Sequence, residues 1–206
     1  MSAPDRFQHW DSVYRTRESA AVSWFQAEPA VTLALVELLG ITHDAAIIDV
    51  GGGASRLVDH LLAADYGDLT VLDLSPAALA VSQTRLGDAA GVEWIAQDLL
   101  TWQPAHRYDL WHDRAVLHFL SGEDVATYRE LLERSVAPGG SVILGTFAQD
   151  GPEQCSGLPV TRYSAAELAQ FLAPTFTVID ERHELHTTPN GATQSFAWVA
   201  ARRVSH

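Results

Sequence analysis

The chain has 206 residues, enough for one ordinary domain with a sizeable core and few for two. Hydrophobic residues make up 47% and charged residues 19%, which is globular composition and excludes a disordered or fibrous chain. The formal charge is −13 and lysine is absent, so the only fixed positive charges are arginines, which argues against an extended nucleic-acid surface. Cys155 is the only cysteine, so neither an internal disulfide nor a cysteine-based metal cage is expected; that fits a cytoplasmic setting. The opening stretch MSAPDRFQHWDSVYRTRE lacks a signal-peptide core. The longest apolar stretch, Pro29 to Leu39, is far below the ~20 residues that span a bilayer, so no membrane partner is expected.

Phe7, Trp10 and Tyr14 recur at helical spacing, predicting a short amphipathic helix over Asp5–Arg17. Glu28 and Pro29 open a second helix that runs to Leu39 and stops at Gly40. Alternation follows. Ala46–Val50 reads as a buried strand stopped by three glycines, Ser55–Ala64 as a helix, and Leu69–Leu72 as a strand. Ser75 as N-cap and Pro76 at the first helical position start a helix that ends at Leu86. Val92–Ala96 and Tyr108–His112 are strands, Glu123–Val136 a helix, and Ser141–Phe147 a strand after Pro138-Gly139-Gly140. This spacing is that of parallel βαβ units. The ending differs: after a helix at Ser164–Leu172, Phe176–Leu185 and Ser195–Arg203 read as an antiparallel hairpin turning at Pro189-Asn190-Gly191. The expected fold is α/β, a Rossmann-like doubly wound, mostly parallel seven-stranded sheet with a C-terminal antiparallel hairpin.

Asp49 lies on the first strand, which runs into Gly51-Gly52-Gly53 and then a helix. Such a turn lets backbone approach a nucleotide, and the following helix offers free N–H groups. Asp73 ends the second strand ~20 residues further on, where a carboxylate accepts from ribose hydroxyls. Asp98-Leu99 follows the third strand, in position to meet an adenine. Either carboxylate alone also fits a helix cap.

The ordered set Asp49-Val50-Gly51-Gly52-Gly53, Val71-Leu72-Asp73-Leu74-Ser75, Ile95-Ala96-Gln97-Asp98-Leu99, Tyr108 to Arg114 and Pro138-Gly139-Gly140 resembles the class I S-adenosylmethionine (SAM)-dependent methyltransferases, in particular a branch of small stand-alone bacterial enzymes. The resemblance implies SAM as cofactor, S-adenosylhomocysteine (SAH) as its product and no metal. It places Gly51 and Gly53 under the methionine end, Asp73 with Leu74 at the ribose, Asp98 with Leu99 at adenine, and Asp49 on the loop or the SAM ammonium. Trp24 is expected over the cofactor. One departure is Ser55, where many members carry a third glycine. The layout expected is a single domain over 1–206: a helical cap (1–40), a cofactor-binding core (45–147), and a lid loop, helix and hairpin (148–206).

Methyl transfer from a sulfonium is an in-line displacement with the acceptor lone pair near ~3 Å from the methyl carbon. If the acceptor is protonated, a base is needed. His112, Asp113 and His118 are the candidates, since imidazole near pKa ~6.5 suits proton transfer at neutral pH. Arg114, expected on a helical turn with His118, is the candidate for an anionic acceptor, and Phe25 and Tyr163 for the pocket wall. Neither His112, Asp113 and His118 nor His183 with His186 has metal-ligand geometry by position. The acceptor atom, N, O or S, and the oligomeric state are open; a small molecule is favoured because the chain has no appended recognition domain. A protein side-chain (lysine-type) methyltransferase and a non-catalytic SAM-binding protein are the alternatives. A dinucleotide oxidoreductase fits less well, because the G-x-G-x-x-G frame gives Gly51, Gly53 and then Arg56.

Overall fold

A computed structural model describes residues 3–87 and 91–204. Helix α1 (Ala3–Thr16) precedes α2 (Ala30–Leu38), and the alternating core begins with β1 (Ala46–Val50), α3 (Leu57–Ala63), β2 (Asp68–Asp73), α4 (Pro76–Leu86) and β3 (Val92–Ala96). It continues through β4 (Tyr108–Arg114), α5 (Glu123–Ser135) and β5 (Val136–Phe147). A two-strand hairpin, β6 (Gln154–Cys155) with β7 (Leu158–Pro159), interrupts the next connection. Helix α6 (Ala165–Leu172), β8 (Phe176–Thr187) and β9 (Thr193–Arg203) finish the described chain.

Among the described residues the main sheet has seven strands in the order β3-β2-β1-β4-β5-β9-β8. The strands from β3 to β5 pair in parallel, and β9 is antiparallel to both β5 and β8. This is the expected doubly wound sheet with its reversed terminal strand. Alternation along each strand divides the apolar residues between two faces. Trp111, Leu144 and Val199 pack with Tyr128 and Leu132 of α5 and Leu168 of α6. Leu110, Ile143 and Trp198 pack on the other face with Leu35 of α2, Leu61 of α3 and Leu79 of α4. Ser75 caps its helix as expected, accepting from Ala78 N at 3.1 Å with Pro76 at the first turn, and the structure adds a capping box of Ser164 with Glu167.

Two predicted boundaries are corrected. β4 does not stop at His112 but runs to Arg114, because His112, Asp113 and Arg114 stay in register with Ile143, Leu144 and Gly145 of β5. Strand alternation therefore puts His112 and Arg114 on one face and Asp113 on the other. Arg114 and His118 do not share a helical turn: Ala115 takes a positive φ of 73°, and a single 3-10 turn, Leu117–Phe119, follows. β5 begins earlier than Ser141, since Val136 already pairs with Tyr108 across a bulge.

Candidate active site

The parallel strands β1, β2 and β3 end at one edge of the sheet, where the chain leaves each strand for a turn. At the first, Gly51 has φ +71°, a conformation that suits glycine. A side chain there would also overlap Val116. Gly53 lies behind the turn: a Cβ on it would come within 2.5 Å of Asp73 Oδ2 and 2.8 Å of the Ala78 methyl. The third glycine thus admits the carboxylate of the second strand. Asp73 is nearly fully buried, Oδ1 accepts from Ser75 N at 2.7 Å, and burial raises its pKa to about 7. Asp98 holds the turn after β3 by accepting from Leu100 N at 3.0 Å, and Oδ2 meets Arg6 at 3.3 Å.

These groups border a cleft that encloses about 950 Å³, its open mouth included. Gly51, Asp73, Leu74, Asp98, Leu99 and Arg6 line one end. Trp10, Phe119, Phe147, Cys155 and Phe196 line the other. A second cleft of about 600 Å³ is bordered by Asp49, Gly52, Phe25, Arg56 and His112. Tyr14, Trp24, Gly51 and Arg114 border both and stand at their junction.

At that junction the electrostatics are unusual. Arg114 Nη1 donates to the Trp24 carbonyl at 2.9 Å and its guanidinium carbon lies 4.4 Å from the centre of the Phe196 ring. Nε and Nη2 are closed off from solvent and have no partner among the described residues. Burial lowers its pKa to about 10, with Glu184 opposing that shift, so the side chain is still a cation at neutral pH. Asp49 Oδ1 pairs with His112 Nδ1 at 2.7 Å, while its Oδ2 is buried without a partner. His112 Nε2 meets Thr32 Oγ1 at 3.0 Å, so both ring nitrogens are engaged.

The structure thus brings together Asp49, Gly51, Asp73, Leu74, Asp98, Leu99, Trp24, Phe25, His112 and Arg114, with Gly53 just behind them. It does not bring Asp113, His118 or Tyr163 to either cleft. Asp113 accepts from Val116 N at 2.8 Å, Leu117 N at 3.1 Å and the Tyr128 hydroxyl at 2.6 Å, so it ties the turn after β4 to α5. His118 is fully buried, accepts from Phe147 N at 3.3 Å, and has its pKa pushed down to about 3 by burial and the nearby Arg114. It stays neutral there and is no proton acceptor at neutral pH. Tyr163 packs against the core beside α5 and α6, where its N–H meets the Phe147 carbonyl at 2.9 Å. His183 meets Ser195 Oγ at 2.6 Å and His186 the Ser23 carbonyl at 2.8 Å, so the two rings serve different contacts.

Sequence reasoning missed the part played by α1. Arg6, Trp10 and Tyr14, each four residues apart, face the cleft, whereas Phe7 is 40% exposed. The spacing was readable; which stripe turned inward was not, because it depends on α1 docking. Asp11 on the same helix meets Ser75 Oγ and Ala77 N, both at 3.3 Å, and so seats α1 on the start of α4.

The cradle fits a nucleoside-bearing cofactor. Glycine at Gly51 leaves room that a side chain would fill, the buried Asp73 carboxylate ends the second strand where it could accept from hydroxyl groups, and the unpartnered Asp49 oxygen suits an ammonium. Residues 47–140 match the family described as a methyltransferase domain. Nodulation protein S of Rhizobium fredii is 31% identical over 97 residues, covering 46% of this chain and 54% of that protein. The chain therefore spans about half the length of that curated relative. A probable thiol methyltransferase 2 of Arabidopsis thaliana is 26% identical over 161 residues, 76% of this chain and 69% of that protein. The crystal structure of the Burkholderia thailandensis 1,6-didemethyltoxoflavin-N1-methyltransferase superposes with a TM-score of 0.72 at 22% identity, covering 100% of this chain and 92% of that one. No helix of the described residues is long and apolar enough to cross a membrane. The stretch 47–140 thus matches a methyltransferase domain, and the seven-stranded sheet around it has the Rossmann-like fold of the methyltransferases on which it superposes.

Proposed function

We propose that this chain transfers a methyl group from SAM to a small-molecule acceptor held in the aromatic end of the cleft. The observation that carries the reading is one cleft lined both by carboxylates with a glycine turn and by an aromatic cluster in which Trp10 touches Phe119 and Phe147 touches Phe196. Bound SAM supplies an electrophilic methyl group on a sulfonium. Asp98 with Leu99 borders the adenine, Asp73 with Leu74 accepts from the ribose hydroxyls, and Asp49 Oδ2 faces the ammonium. Gly51 gives the cofactor close access to backbone, and Gly53 lets Asp73 reach it. Trp24 and Tyr14 wall the junction where the methyl group would be delivered, and their bulk excludes water from it.

The aromatic lining of the cleft, Trp10, Phe119, Phe147 and Phe196, suits a small apolar molecule as acceptor. The thiol and didemethyltoxoflavin named for the relatives are small molecules too. A single domain over 1–206 and a cytoplasmic location, with Cys155 reduced, complete this reading. Calorimetric titration with SAM, SAH and NAD, followed by transfer of radiolabelled methyl groups into metabolite pools and lysate protein, tests it. Binding of SAM and SAH but not NAD, with label in small-molecule products, is expected. Label confined to protein would move the acceptor to a side chain, and SAM binding without any transfer would leave a binding protein.

A further inference from the structure

We propose that the acceptor arrives already ionised, as a thiolate on an aromatic or similarly apolar body, and that Arg114 receives that charge. This rests on the methyltransferase reading above and names the class of substrate.

Two observations meet here. The first is the unused capacity of Arg114. A buried guanidinium normally has its N–H groups paired, because an unpaired buried charge is costly. Here Nε and Nη2 have no partner among the described residues, and the side chain sits at the junction of the two clefts on the Phe196 side, away from the ribose and adenine positions. Glu184 on β8 and Asp49 on β1 are the carboxylates whose charge it feels, but neither is hydrogen-bonded to it. Glu184 accepts from Trp198 Nε1 at 2.9 Å and Gln26 Nε2 at 2.8 Å, and Asp49 binds His112. His118 and His186 also face it, and its charge disfavours their protonation.

The second observation is that, among the described residues, the aromatic part of the cleft has no group placed to take a proton. His118 and Asp113 lie outside it, and both nitrogens of His112 are engaged. Burial pushes the Cys155 thiol up to about 12 and raises Tyr14 as well, so both hold their protons. An alcohol would keep its proton in such a chamber and attack poorly, whereas a neutral amine could attack without a base but would bring no negative charge to the unpartnered N–H groups of Arg114. A thiol can ionise in water and enter as an anion, and a planar apolar body suits the walls of Trp10, Phe119 and Phe196. The step then balances without a base. The thiolate sulfur bonds to the methyl carbon, the bond from that carbon to the sulfonium sulfur breaks, and its electron pair stays on the departing sulfur. Anion and sulfonium become two thioethers, and no proton moves.

The test is equilibrium binding to the SAH-loaded protein, read by tryptophan fluorescence and by the absorbance of the probe. Three ligands share a ring: para-nitrothiophenol, its S-methyl ether and para-nitrobenzoate. The thiolate is expected to bind at least about tenfold more tightly than either other ligand, and the bound thiol to titrate about one unit lower than the free one. Arg114→Met should abolish the preference and the titration shift while SAH affinity holds, and Arg114→Lys should keep part of both. The three wild-type measurements need no variant and decide the matter even if Arg114→Met fails to fold. Equal binding of thiolate and ether overturns the proposal. So does a preference for the carboxylate, which would make Arg114 an anchor remote from the reacting atom. A tenfold loss of SAH affinity in Arg114→Met also overturns it, by placing the cofactor's own carboxylate there. Failure of the wild-type protein to bind SAH would instead sink the methyltransferase reading on which the proposal stands.

Discussion

In the proposed role Asp73 would have to be ionised to accept two ribose hydroxyls, yet burial raises its pKa to about 7. Ligand binding that favours the ionised form must release a proton below that pH. SAM affinity is therefore expected to rise about tenfold between pH 6 and pH 8, with proton release at the lower pH, by calorimetry in buffers of different ionisation enthalpy. Asp73→Asn should bind weakly and lose that rise. His118 gives the opposite lesson. Its folded pKa of about 3 lies below the unfolded value of 6.5, so its contribution to stability is complete above pH 6.5 and is lost as pH falls toward 3. The slope from this group reaches about 1.4 kcal/mol per pH unit in that window. His118→Gln, which cannot titrate, should lose this part of the slope in urea unfolding series from pH 7 to pH 4. The sequence showed a histidine near a strand end, and that is all a single strand shows. Its burial beneath Phe147 comes from β5, contributed by residues some distance along the chain.

At the scale of elements, the order and type of the core strands and helices were legible because each combines an apolar run with a turn or cap signal. Ser75-Pro76 marks a helix start that the structure keeps. The length of β4 was not legible, since His112, Asp113 and Arg114 are polar and only pairing with β5 holds them extended. Those residues decide which candidates face the cleft, so the catalytic assignments suffered most. Asp113 on the far face is expected to be a structural acceptor. Asp113→Ala should lower unfolding free energy by about 3 kcal/mol or more, as two backbone N–H groups and the Tyr128 hydroxyl lose their partner. SAH affinity of the folded fraction should change little. At the glycine turn, Gly51→Ala should abolish SAM binding, and adding Val116→Ala should restore only part of it. The second change removes the overlap but leaves the positive φ.

Across the whole molecule, the cleft is closed by segments that are distant in sequence: α1 over the start of α4, and the 148–163 connection against the end of β5. That connection, expected to be a turn-rich lid, is pinned by Thr161 N to the His118 carbonyl at 2.7 Å and Tyr163 N to the Phe147 carbonyl at 2.9 Å. Helix α1 is held instead by side-chain contacts near the cleft, Arg6 to Asp98 and Asp11 to Ser75. Amide exchange by mass spectrometry should show SAH slowing α1 more than the 148–163 segment, and leaving α2 unchanged; equal slowing of all three would contradict a cover hinged on α1. The two halves of the cleft also have separate origins. The proposed cofactor side is formed by the turns after β1, β2 and β3, whereas the aromatic walls come from α1, the turn after β4, the end of β5, the β6–β7 hairpin and β9. Substitutions at Trp10, Phe119 or Phe196 can therefore alter the accepted compound while the nucleoside grip stays intact. Acceptor choice and donor grip are thereby separable in this architecture, so the walls can be recut for another compound without rebuilding the turns that face the donor.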